Sequence, residues 1–210
     1  MSGGETKVNL QHLLEDIRDA YPYPIEEAVI TEFVANALDS QASLICFIPD
    51  RASGALSVID NGSGMNRTQL ENFHDIAATT KSRGQGIGFA GVGAKLALLI
   101  SKTVVTESRT PGYHGATRWR LESTHHAPWD WIQPEGKVTT RTGTAVTMHL
   151  KDPSSPLLQT EFLRSTIINH FYPLLDGWFM LKVLSRVYRK GVTIRIGEDE
   201  LRLGAKARGE

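Results

Sequence analysis

The chain has 210 residues, and its 23 Lys and Arg are balanced by 23 Asp and Glu, giving a formal net charge of zero. That balance leaves no overall basic field for holding nucleic acid, although a local patch could still do so. A hydrophobic content of 40% with 22% charged residues is ordinary for a globular protein, and the length allows one large domain or two small ones.

The first seven residues are polar and glycine-rich and read as a loose end. They lack the charged start and apolar core of a secretion signal. Residues 9–20 read as a helix, with Asn9 as N-cap and Leu10, Leu13, Leu14 and Ile17 on one face. Tyr21-Pro22-Tyr23-Pro24 breaks it. Pro24 suits the first turn of the next helix, whose positive end Glu26 and Glu27 complement. That helix runs to about Ser40. The apolar run Leu44-Ile45-Cys46-Phe47-Ile48 reads as a buried strand. Cys46 is the one cysteine of the chain, which excludes a disulfide framework and a thiolate metal site. A turn at 50–54 leads to a second strand over 55–59. A short helix is expected over 68–75, a mobile loop over 79–86 and a helix from 88–93 to about Ser101. The apolar stretch 96–100 is far too short to cross a bilayer. Strands follow over 102–109, 115–122 and 143–150, with 125–134 irregular between them. Trp119, Trp129 and Trp131 there fit core packing or a docking surface. Residues 152–156 form a linker, 160–170 an amphipathic helix, and 192–203 a terminal hairpin around 197–199. Helix, strand, strand, loop, helix and a late run of strands predict an α+β sandwich with a mixed or antiparallel sheet.

Four stretches carry chemistry. Glu32, Asn36 and Asp39 recur at i, i+4 and i+7 on one face of a helix, with Ile30, Val34 and Leu38 behind them. By itself the stripe better fits an ordinary amphipathic helix showing its polar side to water. Asp60-Asn61-Gly62-Ser63-Gly64-Met65 follows a strand directly. It places a carboxylate where an amino group could donate to it and a soft apolar side chain where a flat ring could pack, although a plain turn fits too. In the third, glycines at 86, 88, 91 and 93 let backbone N–H groups approach an anion, and a helix start follows. Gly86-x-Gly88-x-x-Gly91 matches the dinucleotide fingerprint only formally, since a lid-like loop and not a strand precedes it. The fourth, Gly143-Thr144, opens a strand and taken alone is unremarkable.

Glu-x-x-x-Asn-x-x-Asp, Asp-x-Gly-x-Gly-Met, Gly-x-x-Gly-x-Gly and Gly-Thr before a strand, in that order from Glu32 to Leu150, resemble the GHKL superfamily of Bergerat-fold ATPases. Its members include DNA gyrase B subunits, HtpG-type chaperones, histidine kinases and MutL-type repair proteins. Gly91-x-Gly93-x-Lys95 is similar to the MORC branch, Thr79-Thr80-Lys81-Ser82 to the lids of the MORC and MutL groups, and Arg141 to Leu150 to the chaperone branch. The resemblance implies a two-layer sandwich, with a mixed, mostly antiparallel sheet covered by helices on one face. It implies that Asn36 binds Mg²⁺ and that Glu32, one turn earlier, deprotonates the attacking water. Asp60 would take the adenine amino group, and Asp39, Gly62, Gly64, Met65 and Thr144 would complete the base pocket. Gly86, Gly88, Phe89, Ala90, Gly91, Val92, Gly93, Ala94 and Lys95 would surround the phosphates, with Thr79 and Lys81 on the lid.

The expected organisation is an ATPase core over 1–151, with its lid at about 66–90. An extension over 152–210 would pack on the core or start a following domain. In several branches a Lys or Arg from a following domain completes the site. Lys182, Arg186, Arg189 and Lys190 form a candidate basic patch, and the chain is expected to be part of a longer protein. The expected function is slow Mg²⁺-dependent hydrolysis of ATP, with lid closure and homodimerisation operating a clamp on a protein or DNA client. The expected setting is the cytoplasm, away from membranes. A nucleotide-sensing module with negligible turnover and a histidine kinase catalytic domain are the alternatives. Glu32 argues against the kinase, as does His12 without a phospho-acceptor pattern around it.

Overall fold

The computed structural model describes residues 8–75 and 93–203. Helix α1 (Leu10–Asp19) begins where Asn9 Oδ1 accepts the His12 backbone N–H at 3.0 Å, satisfying one of the donors a helix start leaves open. Helix α2 (Ile25–Asp39) follows, with Pro24 one position outside it as the N-cap and not in its first turn. Strands β1 (Leu44–Asp50) and β2 (Ala55–Asp60) form a hairpin. A capping box of Asn66 and Gln69 starts α3 (Arg67–Asn72).

Past the undescribed residues 76–92, Gly93–Leu96 is a 3₁₀ turn that runs into the single turn α4 (Ala97–Ile100). The helix expected to reach Ser101 thus ends one residue earlier. Ser101 already opens β3 (Ser101–Thr110), paired with Leu150. Strands β4 (Tyr113–Trp119), β5 (Trp129–Ile132) and β6 (Gly143–Leu150) follow. Strand β4 is shifted toward the N-terminus of its expected span. Strand β5 replaces part of the stretch read as irregular, because four residues are too few to show a period. Helix α5 (Thr160–Leu175) extends past the expected end with a kink at Phe171, two residues before Pro173. Helix α6 (Gly177–Lys182), β7 (Thr193–Ile196) and β8 (Asp199–Glu200) complete the described chain.

The strands form one sheet in the order β5-β4-β3-β6-β2-β1-β7-β8. Every described pair is antiparallel except β1 with β7. Register puts one set of side chains on a common face: Ile196, Phe47, Val58 and Val146 in one row, and Leu56, Met148, Val104 and Trp119 in the next. This set shares one buried cluster with Leu14 of α1, most of α2, Leu98 of α4, and Leu163 and Ile167 of α5. The fold is therefore an α+β sandwich with its helices on that face. The opposite face is partly covered by residues 137–138. Their N–H groups donate to Glu107 at 3.2 and 3.0 Å, and Lys137 Nζ donates to Ser57 Oγ at 2.9 Å.

Helix α2 is central. Its residues 28–35 are all buried, along with Ala37 and Leu38, because it is wedged between the sheet, α5 and the Gly93–Leu96 turn. The polar stripe of α2 thus does not face bulk water.

Candidate functional site

A third row, on the other side of the Phe47, Val58 and Val146 row, carries polar groups. Ile45, Asp60, Thr144 and Ser108 are cross-strand neighbours on the helix-covered face. Four strands thus bring a carboxylate and two hydroxyls to the C-terminal end of α2. A cavity of about 330 Å³ opens there. Asn36, Asp39 and Ser40 line it from α2, Asp60 and Thr144 from the sheet, Gly64 and Met65 from the loop, and Ala94 and Lys95 from the 3₁₀ turn. Phe33, Val58, Phe73 and Val146 supply apolar wall, so the pocket combines a flat apolar slot with a few polar groups.

The 61–65 loop is pinned at each step. Asn61 Oδ1 accepts the N–H groups of Ser43 and Leu44, both at 2.9 Å. Ser63 N donates to Ser40 O at 2.9 Å, and Met65 N to Ser108 Oγ at 2.8 Å. Ser108 in turn donates to Gly143 O at 3.1 Å, with Thr144 Oγ1 at 3.2 Å. Gly64 is required: its φ of +70° is left-handed, and a Cβ there would run into Arg109 O. Asp60 Oδ1 accepts Gly62 N–H at 2.8 Å. Burial pushes its carboxyl up to about 6, against the lowering effect of hydrogen bonds from the Gly62 and Thr144 backbone and from Ser40.

The other end is built differently. Glu32 is 6% exposed. Its Oε1 accepts the Tyr21 O–H at 2.6 Å. Its other oxygen lies against Gly93, where any Cβ would overlap the carboxylate. Lys95 is 2% exposed, and burial lowers its ammonium to about 8, opposed by the charge of Asp75. Its Nζ sits 5.8 Å from the centre of the Phe73 ring.

A family model described as "Histidine kinase-, DNA gyrase B-, and HSP90-like ATPase" matches residues 23–146, more than half of the chain. The chain belongs to this ATPase family. The match covers α2 through the middle of β6, and with them every described wall of the cavity. The chain is also similar to chaperone proteins HtpG. That of Rhodopseudomonas palustris (strain BisB5) is 31% identical over 169 residues, 74% of this chain and 26% of the relative. That of Myxococcus xanthus (strain DK1622) is 28% identical over 180 residues, 70% and 27% of the two chains. This ATPase chain thus spans about a quarter of the length of the curated relatives it matches.

Of the residues singled out in the sequence, Asn36, Asp39, Asp60, Gly64, Met65, Ala94, Lys95 and Thr144 all line the one cavity. Gly62 lies just behind it, packed so closely on Ser40 that no Cβ would fit. Glu32 and Gly93 meet each other, next along the chain to the lining residues Phe33 and Ala94 but not themselves among them. Thr79, Lys81, Gly86, Gly88, Phe89, Ala90, Gly91 and Val92 lie outside the described residues, as does most of the expected lid. Ser40, Ser108 and Tyr21 escaped sequence reasoning. Ser40 directly follows Asp39 and could have been suspected, whereas Ser108 and Tyr21 reach the site only through strand pairing and the turn before α2. His12 is exposed on α1, as a residue with no part in the site would be. Among the described residues no group of three or more His, Cys, Asp or Glu could hold a metal, and no helix is long and apolar enough to cross a membrane.

Proposed function

We propose that this chain binds ATP in the α2 cavity and hydrolyses it slowly, with Glu32 as the general base. The observation that carries this reading is the cavity lined by both Asp60 and Asn36, with Glu32 one helical turn before Asn36 on α2. A buried carboxylate stands at the sheet end, and a second carboxylate and a carboxamide stand one helical turn apart on α2. Asp60 would accept the adenine amino group, while Met65 and the apolar wall cover the ring. Asp39, Gly62, Gly64 and Thr144 would complete the base pocket. Lys95, Gly93 and Ala94 would face the phosphates, joined by the glycines of 86–91, Phe89 and Val92. Glu32 would hold the attacking water and take its proton.

The donor set fits magnesium brought in by the nucleotide and not a resident metal. Asn36 would be the one protein ligand, and Mg²⁺ ordinarily takes few protein ligands beside phosphate and water. When bound, it would neutralise phosphate charge. The finer parts of the proposal are closure of a lid at about 66–90 and ATP-dependent homodimerisation that works a clamp in a larger cytoplasmic protein, on a protein or DNA client. The core would occupy 1–151, with 152–210 as its extension. The support for these parts is the similarity to the HtpG chaperones.

The test compares phosphate release and calorimetric ATP binding by the wild type, Glu32→Ala and Asn36→Ala. Glu32→Ala should bind ATP and release no phosphate, and Asn36→Ala should lose the magnesium dependence of binding. Undiminished hydrolysis by Glu32→Ala would remove it as the base. One observation favours a second reading, a nucleotide-sensing module: Glu32 is turned onto Tyr21 and Gly93 and is not among the cavity-lining residues. Tight ATP binding with no turnover by the wild type would select that reading.

A further inference from the structure

Tyr21 lies outside the residues matched by the family model, and nothing in the four motifs includes it. Its hydroxyl is nonetheless 2.6 Å from Glu32 Oε1, the length of a hydrogen bond to an ionised carboxylate. Burial and the neighbouring Glu32 both raise the phenol well above its ordinary range, so it stays a donor at any physiological pH. The opposite oxygen of Glu32 is confined by Gly93. The carboxylate is therefore held between a hydroxyl on one side and a backbone without a side chain on the other.

The segment that carries Tyr21 is stiff. Tyr21-Pro22-Tyr23-Pro24 has two prolines that fix φ, and Tyr21 N–H is tied to Arg18 O at 3.0 Å. The Tyr21 and Tyr23 rings are 5.6 Å apart, and Tyr23 meets the His170 ring edge-on at 4.6 Å. His170 is anchored to Glu27 at 2.9 Å. The second hydroxyl, that of Tyr23, lies 3.4 Å from Thr31 Oγ1, beside Glu32 in the chain. Two neighbouring residues of α2 are thus each met by a tyrosine from one rigid turn, and that turn is braced by α5.

We infer that Tyr21 is the positioning residue for Glu32, orienting its carboxylate for water activation without touching nucleotide. The inference rests on the reading of Glu32 as the general base. A base displaced by a fraction of an ångström loses much of its rate advantage while substrate binding is untouched. Removing the hydroxyl should therefore lower kcat alone.

The experiment measures phosphate release, ATP affinity and thermal unfolding of the full chain for wild type, Tyr21→Phe, Tyr23→Phe and Glu32→Gln. Tyr21→Phe should lower kcat about tenfold and leave KM and ATP affinity within about twofold. Tyr23→Phe, which loses only a long contact, should keep kcat near wild type. In a Glu32→Gln background, Tyr21→Phe should cause no further loss, because it acts through that carboxylate. If Glu32→Gln is inactive while Tyr21→Phe keeps the wild-type kcat, the positioning role is overturned and the base survives. If Tyr21→Phe shifts KM or the unfolding midpoint as much as kcat, its role is structural and the inference also fails. If Glu32→Gln is fully active, or the wild type releases no phosphate, the reading of Glu32 as base fails first.

Discussion

The two ends of the cavity are made on different principles. The Asp60 end is set by the sheet. Strands β2, β6 and β3 hold Asp60, Thr144 and Ser108 in register, and their hydrogen bonds to the 61–65 loop leave it little freedom. The Glu32 end is set by one helix and two short connections, the turn carrying Tyr21 and the 3₁₀ turn that begins at Gly93. A sheet ladder fixes many residues cooperatively, whereas a turn fixes few. The contrast is between an end held by a sheet ladder and an end held by two local turns.

The sharpest way to separate the ends is to remove one carboxylate at a time. Glu32→Ala should reduce single-turnover phosphate release by about a hundredfold or more, with ATP affinity unchanged by calorimetry. Comparable losses of affinity and rate would mean that the two ends are not separate. Asp60→Asn should do the reverse and weaken ATP binding about a hundredfold, because an amide presents a donor to an amino group. The same change should stabilise the empty protein. The folded-state carboxyl is raised to about 6 from an ordinary 3.8, so its ionisation at pH 7.5 opposes folding, by on the order of 3 kcal/mol. A lower unfolding midpoint for Asp60→Asn at pH 7.5 would contradict this.

The rigidity of the base end can be challenged through its backbone. Gly64→Ala places a Cβ against Arg109 O at a left-handed φ and should destabilise the fold by about 1–3 kcal/mol, read as a lower midpoint in denaturant. Gly93→Ala pushes on the Glu32 carboxylate instead and should lower kcat with a smaller effect on stability. Equal stability losses would erase the distinction between the ends.

The smallest effect is in pH dependence. Between about pH 4 and 6 folded Asp60 keeps a proton that the unfolded chain has lost, so its contribution falls as pH rises. His74, buried against Trp129 at 4.4 Å, is lowered to about 4 by burial. Between about pH 4 and 6.5 the unfolded chain holds the extra proton, so this contribution rises with pH. The two oppose each other in the wild type. Asp60→Asn should leave the His74 slope exposed, with the midpoint rising more steeply from pH 4 to 6.5 than in the wild type. An unchanged slope would mean that the Asp60 carboxyl is not raised in the folded chain.

Much of the site was legible before any coordinates. Glu32, Asn36 and Asp39 follow from helical spacing, and Asp60 with its glycines from a strand that ends in a turn. These are local relations, set by 3.6 residues per turn and by the φ that only glycine adopts readily. Short or distant relations were not legible. Strand β5 is four residues long, and β7 reads as half of a local hairpin while also pairing in parallel with β1, some 150 residues earlier. The burial of α2 on all sides, which turns its polar stripe inward, depends on α5 and on the turn after residue 92.

Local periodicity and turn chemistry, then, were enough to name the fold class and most of the cavity wall, and the four ordered motifs carried the ATPase family resemblance, because each such signal lies within a few neighbouring residues. Packing alone decided that Ser108 anchors Met65, that Gly93 makes room for Glu32, and that Tyr21 donates to it. Those contacts join residues 11 to more than 60 positions apart, a separation at which no sequence period survives and only the folded chain sets the distance.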